Sequence, residues 1–375
     1  MDLKVLHVCR TYYPDPPGGV QEAIQQICLA TQAFGVNPSV FSLSPRPFPS
    51  QIFQNGIKVH REKSWISLFS CDIGDHQALK SFKELSEEHD LINYHFPWPY
   101  ADLLNLSLSL KIPYVVTYHS DVVRQRLLAK ICMPLFLKSL RGAKNIITTS
   151  DAYSRSSTLL NRPELAGKVV SIPLGISDKY LGVDLDSKSK IQSYVEEPFF
   201  LFLGALRQYK GLDFLLEAAA LTDVKVVIAG DGSERRRLEK KAKKASLHNV
   251  VFVGSVSQTE KAHLLKQCLA LVLPSNLRSE AFGMVLVEAS MFGKPMITTE
   301  LGTGTSFINI HKQTGLVVKP NTSSELVIAM NTLMRDRGKA IKFGKNARLR
   351  YEKHFNPESM GKAYSDVYMS SIKER

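Results

Sequence analysis

Short apolar runs, each closed by a glycine-bearing or polar loop and followed by a stretch of helical spacing, recur along most of the chain. That alternation restricts the fold more than any other feature, because strand, loop and helix repeated in series build a parallel sheet flanked by helices. In the first half the runs are LKVLHVC, PSVFSLS, GIKVHRE, DLINYHF, PYVVTYH, NIITTSD and KVVSIPLGIS. Helices are expected over about 22–34, in ALKSFKELSEEH, and over 122–144, where Pro134 should kink or restart the helix. PWPYAD reads as a loop. Residues 182–198 are polar and hold no convincing strand, which places a linker there. The alternation then restarts at FFLFLGA and continues through KVVIAGDG, VVFVGSV and LALVLPS. The fold class is therefore α/β with two Rossmann-like, doubly wound domains: 1–181, the linker 182–198, 199–356, and a terminal helix over 357–375.

Composition narrows the function classes. With 375 residues and 44% apolar side chains, the chain can bury two cores. No apolar run approaches the length of about 18 residues that suggests a membrane span. The start, MDLKVLHVC, reads as a first strand and not as a leader, so a cytoplasmic protein is expected. The cysteines (Cys9, Cys28, Cys71, Cys132 and Cys268) form no CxxC and no Cys/His cluster, which argues against a zinc site or a disulfide framework. The formal charge is +13. Residues 1–186 hold 19 basic and 17 acidic side chains, so the remainder carries +11. Such an excess favours nucleic acid, an acidic membrane or a phosphorylated substrate, and composition alone does not choose among them.

The most informative stretch is 275–295, SNLRSEAFGMVLVEASMFGKP. A loop carries Glu280, a helix starts near Gly283, and Glu288 lies two turns in by this reading. Gly293 and then Pro295 stop the helix. Backbone amides at Phe282, Gly283 and Met284 would stand at a helix N-terminus, a ready anion site, with Gly283 allowing close approach. Carboxylates beside a phosphate cradle are paradoxical unless they accept hydrogen bonds from sugar hydroxyls.

This Glu-x7-Glu pair within E-A-F-G-x-x-x-x-E-A resembles the signature of the retaining, nucleotide-sugar-dependent glycosyltransferases of family 4. The resemblance covers nearly the whole chain and is strongest over 199–320. It implies the GT-B architecture, two Rossmann-like domains facing across a cleft, with the terminal helix crossing back to the first. It also implies that Glu288 holds the ribose, that Glu280 holds hydroxyls of the donor sugar, and that Val285 joins the amides of 282–284 in binding the nucleotide sugar. Lys210, with Arg207, would stabilise the leaving diphosphate. Relatives carry that arginine directly after the strand-ending glycine, whereas Ala205 stands there in this chain, so Lys210 is the closer match. Gly230 and Asp231, at the end of another strand, would form a backbone turn near the nucleotide.

In the first half, Gly18 and Gly19 match the family's Gly-Gly loop beside the donor diphosphate. His119, delivered to the end of the strand YVVTYH, matches a histidine that touches the donor sugar. Ligands bind at such strand ends in open α/β sheets. Asp121 would cap the next helix. His95 is weighed as a residue at the cleft edge against an ordinary structural role. Over 122–144 there are six basic and no acidic residues among Leu, Ile, Met and Phe, so Arg124, Arg126, Lys130, Lys138 and Arg141 are expected to lie on an anionic bilayer.

The resulting expectation is a metal-independent hexosyltransferase, with no cofactor beyond its nucleotide-sugar donor. The best donor is GDP-mannose, suggested by the resemblance of LGTGTSFINIHKQTGLVV to its counterpart in members using that donor. The acceptor would be a lipid-linked glycan in surface polysaccharide assembly at the inner face of the cell membrane. The only Asp-x-Asp string, Asp184 to Asp186, falls in the linker. No nucleophile is evident, which favours front-side departure and attack. A glucan synthase using UDP- or ADP-glucose, a nucleic-acid binder and a catalytically dead sugar-nucleotide binder are the alternatives; no base-reading motif supports the second. Oligomeric state is not legible.

Overall fold

The computed structural model describes residues 2–15, 18–68, 71–108, 110–122, 126–178 and 198–373. Of the expected linker, residues 182–197 lie outside the described residues. The chain divides into two compact units, Met1–Gly175 with Pro357–Arg375, and Ile176–Asn356.

The first unit is built on β1 (Leu3–Cys9), β2 (Val36–Ser44), β3 (Gln51–Gln54), β4 (Ile57–Leu68), β5 (Cys71–Gly74), β6 (Leu91–Phe96), β7 (Tyr114–Tyr118), β8 (Ile146–Thr148) and β9 (Val169–Ser171). Their order is β3-β4-β2-β1-β6-β7-β8-β9, with β5 beside β4. All pairings are parallel except those of β3 and β5 with β4. β6 is buried at every position, as a central parallel strand covered on both faces should be. The helices of this part of the chain are α1 (Gly19–Gln32), α2 (His76–Glu87), α3 (Pro99–Ser107), α4 (Arg126–Gly142) and α5 (Asp151–Ser156).

Three expectations are corrected here. The first helix begins at Gly19, with Gly18 as its extended N-cap, and not near residue 22. PWPYAD is not a loop throughout, because Pro99 opens α3 at the helical position where a missing N–H costs nothing. Pro134 neither ends nor restarts α4, which is assigned continuously through it. α4 is described from Arg126, and residues 123–125, where capping by Asp121 would be tested, lie outside the described residues. The Asp121 carboxylate accepts from Tyr118 Oη at 2.8 Å and Ser157 Oγ at 2.7 Å.

The second unit holds β10 (Phe199–Leu203), β11 (Lys225–Ala229), β12 (Val250–Gly254), β13 (Ala270–Leu273), β14 (Met296–Thr299) and β15 (Gly315–Val318), ordered β12-β11-β10-β13-β14-β15 and parallel throughout. Its helices are α6 (Leu212–Ala220), α7 (Arg235–Lys244), α8 (Gln258–Gln267), α9 (Met284–Met291), α10 (Gly304–Ile308), α11 (Ser323–Arg335) and α12 (Arg337–His354). α13 (Pro357–Lys373) belongs to the first unit. It crosses α1 so closely that a Cβ on Gly361 would sit 2.3 Å from the Ala30 carbonyl oxygen. Its Tyr368 Oη takes a hydrogen bond of 2.7 Å from Asn93 on β6.

Among the described residues no helix is long and apolar enough to cross a membrane.

Candidate active site

In the second unit β10 lies between β11 and β13, so the chain reverses its direction of travel across the sheet there. Loops leaving the carboxyl ends of strands at such a point diverge and open a crevice, the usual ligand position in doubly wound sheets. The loop after β10 carries Arg207 and Lys210, and the loop after β13 carries Glu280. Asn276 N donates to Tyr209 O at 2.9 Å and ties the two loops together. The loop after β11 is equally tight. A Cβ at Gly230, whose φ is +135°, would meet the Gly204 carbonyl oxygen at 2.0 Å, so only glycine fits.

Lys210 and Glu280, assigned separate roles from sequence, touch each other. Lys210 Nζ is 2.5 Å from Glu280 Oε2, and Ser275 Oγ donates to the same oxygen at 2.8 Å. Both charged side chains are buried, with Lys210 8% and Glu280 6% exposed. Burial pushes the Lys210 ammonium down, but the Glu280 carboxylate and Tyr209 outweigh it and leave the lysine more basic than usual. Glu280 Oε1 has no hydrogen-bond partner among the described residues. Arg207 is exposed and forms no ion pair among the described residues.

Glu288 sits in the fifth position of α9, little more than one turn in, which corrects the expected two turns. It is 7% exposed, and its Oε1 is held by Lys261 Nζ of α8. Each acid of the pair thus has one oxygen held by a buried or half-buried lysine and one without a partner among the described residues. Gly283 caps α9 at φ 89°, ψ 71°, a left-handed conformation that favours glycine. The amides of Phe282, Gly283, Met284 and Val285 reach no protein acceptor among the described residues and stand at the helix N-terminus. α10 packs against the same turn: Gly304 N donates to Ala281 O at 2.7 Å. Asp231 is exposed and paired with Arg235 at 3.0 Å, and its Oδ1 accepts from Gly232 N at 2.6 Å.

In the first unit the reversal falls between β1 and β6. Gly18 and Gly19 follow β1 and start α1, and a Cβ on Gly19 would meet open space. His119 follows β7, its backbone N bonded to Phe96 O at 3.0 Å. It is 7% exposed, and burial lowers its imidazole pKa to about 4. His95 is buried behind His119, with its Nδ1 2.8 Å from His119 Nε2.

On α4 the exposed residues Lys130, Pro134, Lys138 and Arg141 form one stripe, while Phe136, Leu137 and Leu140 are buried. Ile131 on the open side is 68% exposed. Arg141 pairs with Glu164 at 2.8 Å. Arg124 and the side chain of Arg126 lie outside the described residues.

Sequence reasoning missed Ser275, Lys261 and His7. Ser275 stands five residues before Glu280 in the same loop and was open to inspection; the other two act through neighbours remote in sequence. A cavity of about 760 Å³ in the second unit, lined by Leu316, Ile328, Ala329 and Phe343 among others, contains none of the candidate residues.

A family model described as glycosyl transferases group 1 matches residues 184–350, and one described as Glycosyltransferase Family 4 matches residues 17–180. The chain is 38% identical over 373 residues to the O-antigen chain mannosyltransferase C of Escherichia coli, with all of both chains covered. It is 39% identical over 356 residues to the D-rhamnosyltransferase WbpZ of Pseudomonas aeruginosa, covering 94% of this chain and 92% of that one. Among solved structures, sucrose-phosphate synthase from Thermosynechococcus elongatus superposes with a TM-score of 0.82 at 21% identity over all of both chains. HepE from Anabaena, in complex with UDP-glucose, gives 0.78 at 20% identity, covering 98% of this chain and 100% of that one. At those identities the superpositions speak to fold alone, and the fold is GT-B.

Proposed function

The chain belongs to the family 4 glycosyltransferases, and from that premise we propose that it moves a hexose from a nucleotide sugar to a hydroxyl of a lipid-linked glycan in O-antigen-type polysaccharide assembly. The observation that carries the reading is the buried Lys210–Glu280 pair at the strand reversal, in a unit that also offers the amides of 282–285, unpartnered among the described residues. The amides and the Lys210 and Arg207 cations suit a diphosphate. The free oxygens of Glu280 and Glu288 suit hydroxyls of the sugar and the ribose, and Lys261 orients Glu288. His119 contacts the donor sugar.

Lys210 neutralises charge as it develops on the departing diphosphate, so the reaction needs no metal ion. The proposed stereochemical course is retention by front-side attack, giving an α-linkage. GDP-mannose is the proposed donor. It is supported by the mannosyltransferase relative and by the Gly/Thr segment packed on the 281–283 turn. The test is release of nucleotide from GDP-mannose, GDP-D-rhamnose, UDP-glucose and ADP-glucose, with membrane lipid extract as acceptor. Acceptor-dependent release from GDP-mannose is expected to exceed the rest. Preferential turnover of UDP- or ADP-glucose would replace this reading with glucosyl transfer.

The α4 stripe, with Lys130 and Lys138 unpaired among the described residues and Ile131 exposed, is proposed to rest on an anionic bilayer. Each cation near such a surface contributes about 1 kcal/mol. Lys130→Glu with Lys138→Glu should therefore weaken binding to phosphatidylglycerol vesicles at least tenfold at low salt. Unchanged co-sedimentation would place the contact elsewhere.

A further inference from the structure

Three histidines line one face of the first unit's sheet. His7 of β1 is in register with Asn93 of β6, two residues before His95; His95 is in register with Thr117 of β7, two residues before His119. Residues two apart share a face, so the three rings form a diagonal that climbs one step toward the carboxyl edge at each strand. His7 Nδ1 lies 3.0 Å from His95 Nε2, and His95 Nδ1 lies 2.8 Å from His119 Nε2.

The ring planes are nearly parallel, at 18° and 22°, with centroids 5.3 and 5.1 Å apart. Face-to-face stacking is not the reason. In both pairs the centroid separation exceeds the nitrogen separation by about 2.3 Å, about the reach of two imidazole nitrogens from their ring centres. The rings are therefore edge to edge, and each nitrogen pair is a directed hydrogen bond. The neighbouring polar groups are occupied with each other: Thr117 Oγ1 donates to Asn93 Oδ1 at 2.9 Å, and Asn93 Nδ2 donates to Tyr368 Oη at 2.7 Å.

Each nitrogen pair must hold one proton, and a neutral ring carries one. Only two arrangements satisfy both pairs: every ring protonated on Nδ1, or every ring on Nε2. Burial depresses the basicity of all three rings, which keeps them neutral. The ends of the row decide between the two arrangements. His7 Nε2 is buried with no hydrogen-bond partner among the described residues. The Nε2 arrangement would leave an orphaned N–H there. Orphaned buried N–H groups are rarer than bare acceptors. At the other end, His119 Nδ1 is the ring nitrogen with no partner among the described residues.

We propose that His95, backed by His7, is a positioning residue that fixes His119 in its Nδ1–H form, so that a neutral, aimed hydrogen-bond donor meets an oxygen of the sugar donor. The sugar contact rests on the His119 role proposed above; the tautomer does not.

The full-length protein labelled with ¹⁵N-histidine tests the tautomer without any activity. The three rings should each show a protonated Nδ1 and a bare Nε2, and the reverse pattern overturns the proposal. In transfer assays His95→Phe, which removes the donor to His119, should lower kcat about 10–100-fold, the range for partners that orient a functional histidine. KM for the nucleotide sugar should change less. His95→Asn, whose amide N–H can stand near the lost Nδ1, should recover most of the rate. An unchanged kcat in His95→Phe overturns the positioning role. Full activity in His119→Ala removes the sugar contact, and with it the catalytic half of the proposal, while the labelled spectrum still decides the tautomer.

Discussion

Lys210→Met should lower kcat/KM about 10²–10³-fold, the usual loss when one charge-stabilising group is removed from a buried site. It should also destabilise the protein by about 3–5 kcal/mol, because Glu280 is left as an uncompensated buried charge. The two effects separate in the double variant. Adding Glu280→Gln removes that charge and should restore most of the stability, since a buried pair replaced as a whole costs far less than a pair broken. It should restore none of the transfer, because neither the cation nor the carboxylate acceptor remains. Urea denaturation alongside nucleotide release reads both. Transfer by Lys210→Met within threefold of the parent would show that the lysine only balances Glu280 and takes no part with the donor.

The second large effect concerns stability and pH. Asp102, in the first turn of α3, is 7% exposed, and its Oδ2 has no partner among the described residues. Burial raises its carboxyl from 3.8 to about 7, against the opposing influence of Ser139 on α4 and its own backbone. Because the folded-state value lies above the unfolded one, the folded protein binds the extra proton. This contribution is complete below pH 3.8 and is lost as pH rises through about 7. The full loss is about 4 kcal/mol. Asp102→Asn should therefore gain on the parent by that amount between acid and mildly alkaline pH, read as unfolding free energies at pH 4 and 8. Parallel pH profiles for the two proteins would mean that Asp102 is ionised in the folded state.

The two sheets were legible because strands covered on both faces are apolar throughout, as in β10 and β13, or largely so, as in β6. β3 and β5, at four residues each, are too short to show a period, and they were missed. α3 was hidden by Pro99, which signals a break in one context and a helix start in another. At the site, local chemistry was readable: a glycine at φ 89° ahead of α9, two acids on one loop and helix, a histidine after β7. Pairings were not. Lys210 and Glu280 are 70 residues apart, and Lys261 and Glu288 are brought together by the packing of separate helices. The row of histidines depends on strand order and register, and neither follows from the spacing of residues along one strand.

The return of α13 to the first unit has a consequence for synthesis. A ribosome finishes 176–356 as one uninterrupted piece, whereas 1–175 emerges early and lacks the helix that places Tyr368 against Asn93. The earliest part to appear is thus the last to be completed. Until the final turns leave the exit tunnel, that part holds an uncovered sheet face, and a nascent chain halted before residue 357 should engage chaperones through its N-terminal portion.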